Sequence, residues 1–334
     1  MREASFYTKT GDRVRCELCP HMCVLKNDEL GKCRARINKE GILMTLAYGN
    51  PCALHVDPIE KKPLYHFLPG TKSLSLATGG CNLACKNCQN YSISQATPIE
   101  VELGRVAPAE VVEMALAKGC ASISYTYTEP TVYYEYMIDI ARLAHDKGLK
   151  NVMVSAGYIN PKPLHQLYKY IDAANIDLKC FDDTLYRKLS GIHLKPVLQT
   201  LKTLKEQGVW LEITNLIIPG YTDDIGKINE MLNWLLEHGF TETPIHFNRF
   251  VPTYQLSHLN STQAKFLFEI AELALSMGMK HVYVGNVRLN PYQNTVCAVC
   301  GTLQVMRNGY EIENKMINNN CCDKCGKAIA GVWL

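Results

Sequence analysis

The fold of this chain is decided by one stretch, Thr78-Gly79-Gly80-Cys81-Asn82-Leu83-Ala84-Cys85-Lys86-Asn87-Cys88-Gln89-Asn90. It follows residues 73–77, whose alternating polar and apolar side chains predict a β-strand. The two glycines then predict a sharp turn, because glycine adopts backbone conformations that residues with a Cβ tolerate poorly. The turn leads into a short loop that holds three cysteines at the spacing C-x3-C-x2-C.

The cysteines of this loop, Cys81, Cys85 and Cys88, predict a metal centre. Cysteine thiolates are the usual ligands of iron–sulfur clusters, and a complete set for a cubane is four. Three neighbouring cysteines therefore predict a 4Fe–4S cluster with one iron left open to bind another molecule. The alternatives are a plain redox cluster and a zinc site, although zinc usually takes four ligands at knuckle spacing.

The loop and its surroundings resemble the radical S-adenosylmethionine (radical SAM) superfamily. The matching words are Asp57-Pro58-Ile59-Glu60-Lys61-Lys62-Pro63-Leu64-Tyr65-His66-Phe67, Gly80-Cys81-Asn82-Leu83 and Cys88-Gln89-Asn90-Tyr91-Ser92-Ile93-Ser94-Gln95. These words resemble the radical SAM member of the AmmeMemoRadiSam system, a relative of the pyruvate formate-lyase activating enzymes. The similarity extends over nearly the whole chain. The resemblance implies a 4Fe–4S cluster that binds the amino and carboxylate groups of SAM.

The resemblance also implies the reaction. A low-potential electron donor reduces the cluster, SAM is cleaved to methionine and a 5′-deoxyadenosyl radical, and the radical abstracts hydrogen from an unidentified small-molecule or protein substrate. The two other AmmeMemoRadiSam protein families are the implied partners. Three alternatives stay open: activation of a glycyl-radical enzyme, a non-catalytic iron–sulfur electron carrier, and a metal-ribbon binding module of an assembly. An electron carrier would have four cysteines per cluster and no polar site around them.

Composition excludes several classes of function. The 334 residues are 47% hydrophobic and 20% charged, and the net charge of +3 is too small to indicate binding to nucleic acid or to an anionic membrane. No apolar run approaches the roughly 18 residues of a membrane span, and the N-terminus lacks the apolar segment of a signal peptide. We therefore expect a cytoplasmic protein. Twelve of the 15 cysteines occur in tight clusters, which indicates metal sites rather than a disulfide scaffold.

Residues 67–290 show strands that alternate with helices, several of which are followed by glycine, the usual helix stop. This alternation predicts a parallel α/β sheet. Six βα units and a further strand predict an open, partial TIM-like (β/α)6 barrel, and the resemblance to radical SAM enzymes implies the same fold. The predicted strands are 73–79, 121–127, 151–155, 174–180, 209–218, 244–250 and 281–284.

Polar residues recur at the carboxyl ends of these strands, where barrels of this kind carry their chemistry. The resemblance makes six of them candidates for binding SAM: Glu129 for its ammonium group, with Thr128 beside it, Ser155, Asp177 and Lys179 for its ribose and carboxylate, and His246 for its methionine end or for substrate. Related activating enzymes carry Gly-Gly-Glu where this chain has Thr128-Glu129-Pro130, and an aromatic residue where it has Asn87. The alternative role of Glu129 is to cap the helical segment after Pro130.

Residues 1–66 predict an N-terminal cysteine-rich module. Cys16, Cys19, Cys23 and Cys33 lie within eighteen residues and predict one shared metal site. The spacing suits zinc and equally a second iron–sulfur cluster. Further along, the segment Glu60-Lys61-Lys62 and His66 could line a site, but we expect them to lie in a solvated loop.

Residues 291–334 predict a third, C-terminal module. Two C-x2-C knuckles, Cys297–Cys300 and Cys322–Cys325, are each followed by glycine. This spacing is typical of a zinc-ribbon or rubredoxin-like site that holds zinc or iron. Cys321 competes with Cys322 as a ligand. The module lacks the basic face with interleaved aromatic residues that nucleic-acid binding needs, so we predict a structural role or a partner surface.

Overall fold

The computed structural model describes residues 1–288, 290–317 and 320–333. The chain begins with six short strands that form two antiparallel sheets, ordered β1-β6-β5 and β2-β3-β4. Their bounds are β1 Arg2–Glu3, β2 Tyr7–Thr10, β3 Arg13–Cys16, β4 Val24–Leu25, β5 Arg36–Lys39 and β6 Ile42–Thr45.

An eight-stranded sheet follows, in which the strands lie in their order along the chain. The first strand is antiparallel to the second, and the next seven are parallel to one another. The first and last strands are the two edges, so the sheet is open. The bounds are β7 Pro51–Pro58, β8 Lys72–Thr78, β9 Ser122–Tyr125, β10 Lys150–Ser155, β11 Ala173–Asp177, β12 Trp210–Ile217, β13 Ile245–Arg249 and β14 Val282–Gly285.

All seven strands predicted between residues 73 and 284 are present, and the α/β class is confirmed. Strand β7 differs from the expectation because residues 51–58, predicted as part of the N-terminal module, extend the main sheet. Prolines at the two ends of a segment, here Pro51 and Pro58, usually indicate an irregular connection. An edge strand tolerates proline, however, because its outer backbone amides need no partner strand.

Helices connect the parallel strands and bury their apolar faces against the sheet. Leu201, Leu232 and Leu267, from three different helices, have no solvent exposure. Among the described residues, no helix combines the length and apolar character required to cross a membrane. The bounds are α1 Tyr91–Ser94, α2 Pro108–Ala117, α3 Tyr134–Asp146, α4 Pro161–Leu167, α5 Asp183–Ser190, α6 Leu194–Glu206, α7 Ile225–Glu237 and α8 Ala264–Met277.

The C-terminal segment forms a small antiparallel sheet of β15 Thr295–Val296, β16 Leu303–Asn308 and β17 Glu311–Lys315. It docks on the connection between β7 and β8. The Val332 amide donates to the His66 carbonyl oxygen, and the Leu68 amide donates to the Val332 carbonyl oxygen, both at 2.7 Å. Arg307, which is buried, donates to the carbonyl oxygen of Tyr65 at 2.8 Å. The C-terminal segment is thereby joined to the connection between β7 and β8.

A buried ion pair joins the N-terminal sheets to helix α3. Arg36 Nη2 lies 2.6 Å from Glu135 Oε1, and both side chains are buried. The same carboxylate accepts a hydrogen bond from the Ser5 amide at 2.7 Å, and Arg36 donates to the Ser5 carbonyl oxygen at 2.8 Å. The pair therefore fixes the start of the chain against the barrel domain.

We expect Glu135→Gln to destabilise the protein by about 3–5 kcal/mol, because removing one partner leaves the other charge buried and uncompensated. The matched control is Glu230→Gln, which breaks an exposed pair with Lys227 on α7 and should cost at most about 1 kcal/mol. Denaturant unfolding of both variants measures the difference. Equal losses of unfolding free energy in the two variants would show that the Arg36–Glu135 pair does not hold the N-terminal sheets against helix α3.

Candidate functional site

The cysteine loop begins where β8 ends, and the rest of the protein holds its backbone. The Ala84 and Lys86 amides each donate at 2.9 Å, to the carbonyl oxygens of Ser190 and Leu189 at the end of α5. On the other side, the Asn90 side chain donates to the Tyr127 carbonyl oxygen at 2.8 Å. The loop is therefore positioned by elements on both sides of it.

Both glycines of the turn are required by close contacts. Gly80 has φ +90°, and a Cβ there would lie 2.5 Å from the Cys33 carbonyl oxygen. A Cβ on Gly79 would lie 2.7 Å from the Thr97 carbonyl oxygen. The predicted turn is confirmed, and it also brings the N-terminal module against the cysteine loop.

A cavity of about 510 Å³ opens at the carboxyl ends of the strands, beside the cysteine loop. Its size lies within the range of small-molecule sites. The structure brings all three cysteines to its wall, together with five of the six residues predicted for SAM. These residues are Cys81, Cys85 and Cys88, with Thr128, Glu129, Ser155, Asp177 and Lys179.

Glu129 is buried at the wall of the cavity and is held by four hydrogen bonds. Its Oε1 accepts from the Thr131 amide at 3.2 Å, the Thr131 hydroxyl at 2.8 Å and the Ser155 hydroxyl at 2.7 Å. Its Oε2 accepts from the Ala156 amide at 2.8 Å, the one donor to this oxygen within the described part of the chain. The side chain thus caps the turn after Pro130, and Oε2 keeps capacity for a further donor. Burial raises its pKa, which these hydrogen bonds partly offset.

Asp177 and Lys179 form an ion pair in the same cavity, with Lys179 Nζ 2.8 Å from Asp177 Oδ2. Burial alone would lower the pKa of Lys179, but the charges of Asp177 and Cys85 raise the pKa above its ordinary value. Burial raises the pKa of the Cys85 thiol, and Lys179 opposes that rise. A cation therefore stands beside the position of one cluster ligand.

The expectation of a solvated loop at residues 60–66 is wrong for most of that segment. Lys62 is 1% exposed, and it lines the cavity together with Lys61. Lys61 Nζ lies 2.8 Å from Asp57 Oδ1 and Lys62 Nζ 2.6 Å from Asp57 Oδ2. The Asp57 carboxylate also accepts from Ser75 at 2.7 Å and from the Tyr127 hydroxyl. Two lysines four and five residues after an aspartate were the available sequence signal.

His246 is the predicted SAM residue that the structure does not bring to the cavity. It is buried, and its Nε2 donates to Glu212 Oε2 at 2.7 Å. Glu212 also accepts from the Tyr65 amide at 3.0 Å and the His66 amide at 2.7 Å. Thr214 of β12 pairs with both Asp177 and His246, and Glu212 lies two residues before Thr214, so the His246 side chain reaches back toward the amino ends of the strands.

A separate metal site lies in the C-terminal module. The sulfur atoms of Cys297, Cys300, Cys322 and Cys325 all lie within 4.8 Å of one another. Two of the separations, Cys297–Cys325 and Cys300–Cys322, are 3.7 Å. Four thiolates bound tetrahedrally at about 2.3 Å from one zinc would be about 3.8 Å apart. The structure places Cys322 in this site, and Cys321 pairs with Ala328 in a β-bridge outside it.

Comparison with known proteins places this geometry in a family. The model of the radical SAM superfamily matches residues 75–235, which include the cysteine loop and Glu129. An uncharacterized protein of Methanocaldococcus jannaschii is 45% identical over 334 residues, covering 98% of this chain and 99% of its own length.

More distant relatives have assigned activities or solved structures. The pyruvate formate-lyase-activating enzyme of Clostridium pasteurianum is 23% identical over 163 residues, which are 46% of this chain and 65% of that enzyme. A radical SAM methyltransferase from Sphaerobacter thermophilus has a solved structure with a TM-score of 0.51 at 14% identity, covering 71% of each chain; this likeness shows the fold. The chain carries a radical SAM domain at residues 75–235, whose chemistry implies a 4Fe–4S cluster and SAM, and it is homologous to the pyruvate formate-lyase activating enzymes.

Proposed function

We propose that the protein cleaves SAM reductively in the 510 Å³ cavity and uses the resulting radical to abstract hydrogen from a substrate. The observation that carries this proposal is the convergence of three cysteines and five polar residues from four strand ends on one cavity. A non-catalytic electron carrier would not need this polar cavity. The reducing compartment that such a cluster requires fits a cytoplasmic location, and none of the fifteen cysteines, all among the described residues, forms a disulfide.

The residues present fit a cluster bound through three thiolates. Burial raises the pKa of Cys81 well above its ordinary value and that of Cys85 as well, so the thiolates need a positively charged partner such as iron. The Leu83 amide lies 3.4 Å from Cys81 Sγ, and the Ser94 hydroxyl lies 3.3 Å from Cys88 Sγ. When bound and reduced, the cluster supplies the electron that breaks the sulfonium C–S bond of SAM.

The chain's own side chains would orient SAM. Glu129 Oε2 would accept a charge-assisted hydrogen bond from the SAM ammonium group. Lys179, Asp177 and Ser155 offer one cationic donor, one acceptor and one hydroxyl for the carboxylate and ribose. Thr128 donates to the Thr78 carbonyl oxygen at 2.9 Å, and this bond fixes the segment that carries Glu129 to the end of β8.

The substrate would bind in an adjoining cavity of about 660 Å³. The two cavities have Gln89, Asn286 and Tyr310 in common, so a radical formed in the first faces the second. The wall of the second cavity is rich in side-chain amides, and the turn at Asn308–Tyr310 of the C-terminal module closes one side. These neutral donors and acceptors suit a polar small molecule or a peptide segment.

We further propose that the protein acts in the AmmeMemoRadiSam system, with a low-potential electron donor and members of the two other families as partners. The family words around the cysteine loop and around Asp57 support this assignment. The second candidate function is activation of a glycyl-radical enzyme. The homology to pyruvate formate-lyase activating enzymes supports it. Hydrogen abstraction from a peptide glycine would favour the activation of a glycyl-radical enzyme over a reaction in the AmmeMemoRadiSam system.

The proposal predicts that replacing Cys81, Cys85 and Cys88 with alanine abolishes reductive cleavage of SAM. The measurement is 5′-deoxyadenosine formation by anaerobically reconstituted protein with dithionite. Cys52→Ala, which removes a partly buried cysteine outside the three clusters, is the matched control and should retain cleavage. Cleavage by the triple variant would refute the proposed function.

Glu129→Gln should weaken SAM binding about 10- to 100-fold and slow cleavage, because the charge-assisted hydrogen bond is lost. In the variant, the glutamine side chain presents either an NH2 donor or a neutral carbonyl oxygen to the Ala156 amide, so this hydrogen bond is lost or weakened. Equilibrium binding of SAM to reconstituted protein measures the effect. Thr131→Val is the control, since it removes a hydrogen bond to Oε1 and leaves the charge. An equal loss of SAM affinity in both variants would assign Glu129 to capping alone.

Cys300→Ser should release the metal of the C-terminal module and leave SAM cleavage largely intact. About 44 residues cannot bury a large core, so metal binding supplies much of their folding energy. Metal analysis and hydrogen exchange of residues 291–333 measure the loss. Cys321→Ser, at a neighbouring cysteine outside the site, should change neither. Loss of cleavage with the barrel domain still folded would give this module a part in the reaction.

A further inference from the structure

The four N-terminal cysteines line one enclosed cavity that the proposed reaction does not use. Cys16, Cys19, Cys23 and Cys33 form its wall together with apolar side chains and Arg36. Cys16 and Cys19 are buried, and Cys23 and Cys33 are partly exposed. The backbone brings two of the four together, since the Cys16 amide donates to the Cys23 carbonyl oxygen at 2.9 Å.

The spacing of the sulfur atoms distinguishes this site from the C-terminal one. Among the described residues, the C-terminal four are the one group of three or more metal-ligating side chains whose donor atoms lie within 4.8 Å of one another. In the same search of the described residues, the N-terminal cysteines form no such group, and neither do Cys81, Cys85 and Cys88. Thiolates on a single zinc are about 3.8 Å apart, whereas each thiolate of a cubane binds a different iron at its own corner.

We propose that Cys16, Cys19, Cys23 and Cys33 hold a second 4Fe–4S cluster, fully ligated by cysteine and in contact with the catalytic loop. Four ligands leave no iron open, so this cluster does not bind SAM. Arg36 supports it electrostatically, because its Nη1 lies 4.0 Å from Cys16 Sγ and places a buried positive charge beside the thiolates.

The site adjoins the loop that carries the catalytic cysteines. Asn82, the residue after Cys81, belongs to the wall of the N-terminal cavity. His21 Nε2 donates to the Asn82 carbonyl oxygen at 2.7 Å, and the Cys33 carbonyl oxygen packs on Gly80. The peptide that leads into Cys81 is therefore in contact with two segments of the N-terminal site. The second cluster fixes those segments and, through them, the start of the catalytic loop.

The test counts metal and sulfide in the variant with Cys81, Cys85 and Cys88 replaced by alanine. After anaerobic reconstitution we expect about four irons and four acid-labile sulfides per chain, in addition to the metal of the C-terminal module. Replacing Cys16, Cys19, Cys23 and Cys33 with serine in the same background should remove both. The C-terminal metal, retained in each variant, shows that the protein still folds.

Two outcomes would overturn the proposal. Zinc at the N-terminal site, or iron without labile sulfide, would make it a mononuclear site; absence of both would leave the thiols metal-free. The unaltered protein gives a second measurement that needs no mutation, because two cubanes require about eight sulfides per chain and one cubane about four. SAM should leave the electron paramagnetic resonance spectrum of the triple variant unchanged, and a change would show an open iron. These readouts do not depend on cleavage of SAM, so the proposed reaction can fail while this cluster stands.

Discussion

One buried carboxylate holds together parts of the chain that are far apart in sequence. Glu212, on β12, is fully buried and accepts hydrogen bonds from the Tyr65 and His66 amides, from Trp210 Nε1 and from His246. An unpaired carboxylate at this position would be very costly, whereas four donors satisfy it. The connection between β7 and β8 therefore lies against the interior of the sheet, and its first residues, Lys61 and Lys62, reach the cavity.

The same connection receives the C-terminal module through an ordered chain of hydrogen bonds. Burial lowers the pKa of His66 well below its ordinary value, so the ring is neutral. Its Nδ1 donates to the Ala330 carbonyl oxygen at 2.6 Å, and its Nε2 accepts from the Tyr283 hydroxyl at 2.5 Å. Thr295 then donates to Tyr283 at 2.8 Å and accepts from Arg307 at 2.8 Å. The end of the chain is thus joined to the interior that Glu212 organises, and the carboxyl ends of the strands stay free for the cofactor cavity.

The sequence predicted features that depend on local periodicity and spacing. Hydrophobic alternation and helix stops located the seven parallel strands, and the rule that chemistry lies at their carboxyl ends found five of the residues around the cavity. His246 shows where that rule fails, since alternation cannot distinguish a residue that faces the cavity from one that faces a buried partner such as Glu212. The prediction for Lys62 was wrong in the opposite sense, because a residue expected in solvent is buried at the cavity. A Lys-Lys pair between prolines indicates a solvated loop, and only the tertiary position of Asp57 makes its burial possible.

Three parts of the protein hold the cysteine loop in place. Its backbone is held by α5, by the segment after β9 and by the N-terminal module, each through separate contacts. A displacement of about 1 Å at a reacting centre can cost roughly a hundredfold in rate, so the three supports matter even though none of them supplies a ligand to the catalytic cluster. Gly80 is the point where they are most tightly coupled, because its positive φ and the Cys33 carbonyl oxygen leave no room for a side chain. In the proposed reaction, the N-terminal module would therefore act through the geometry of this one turn.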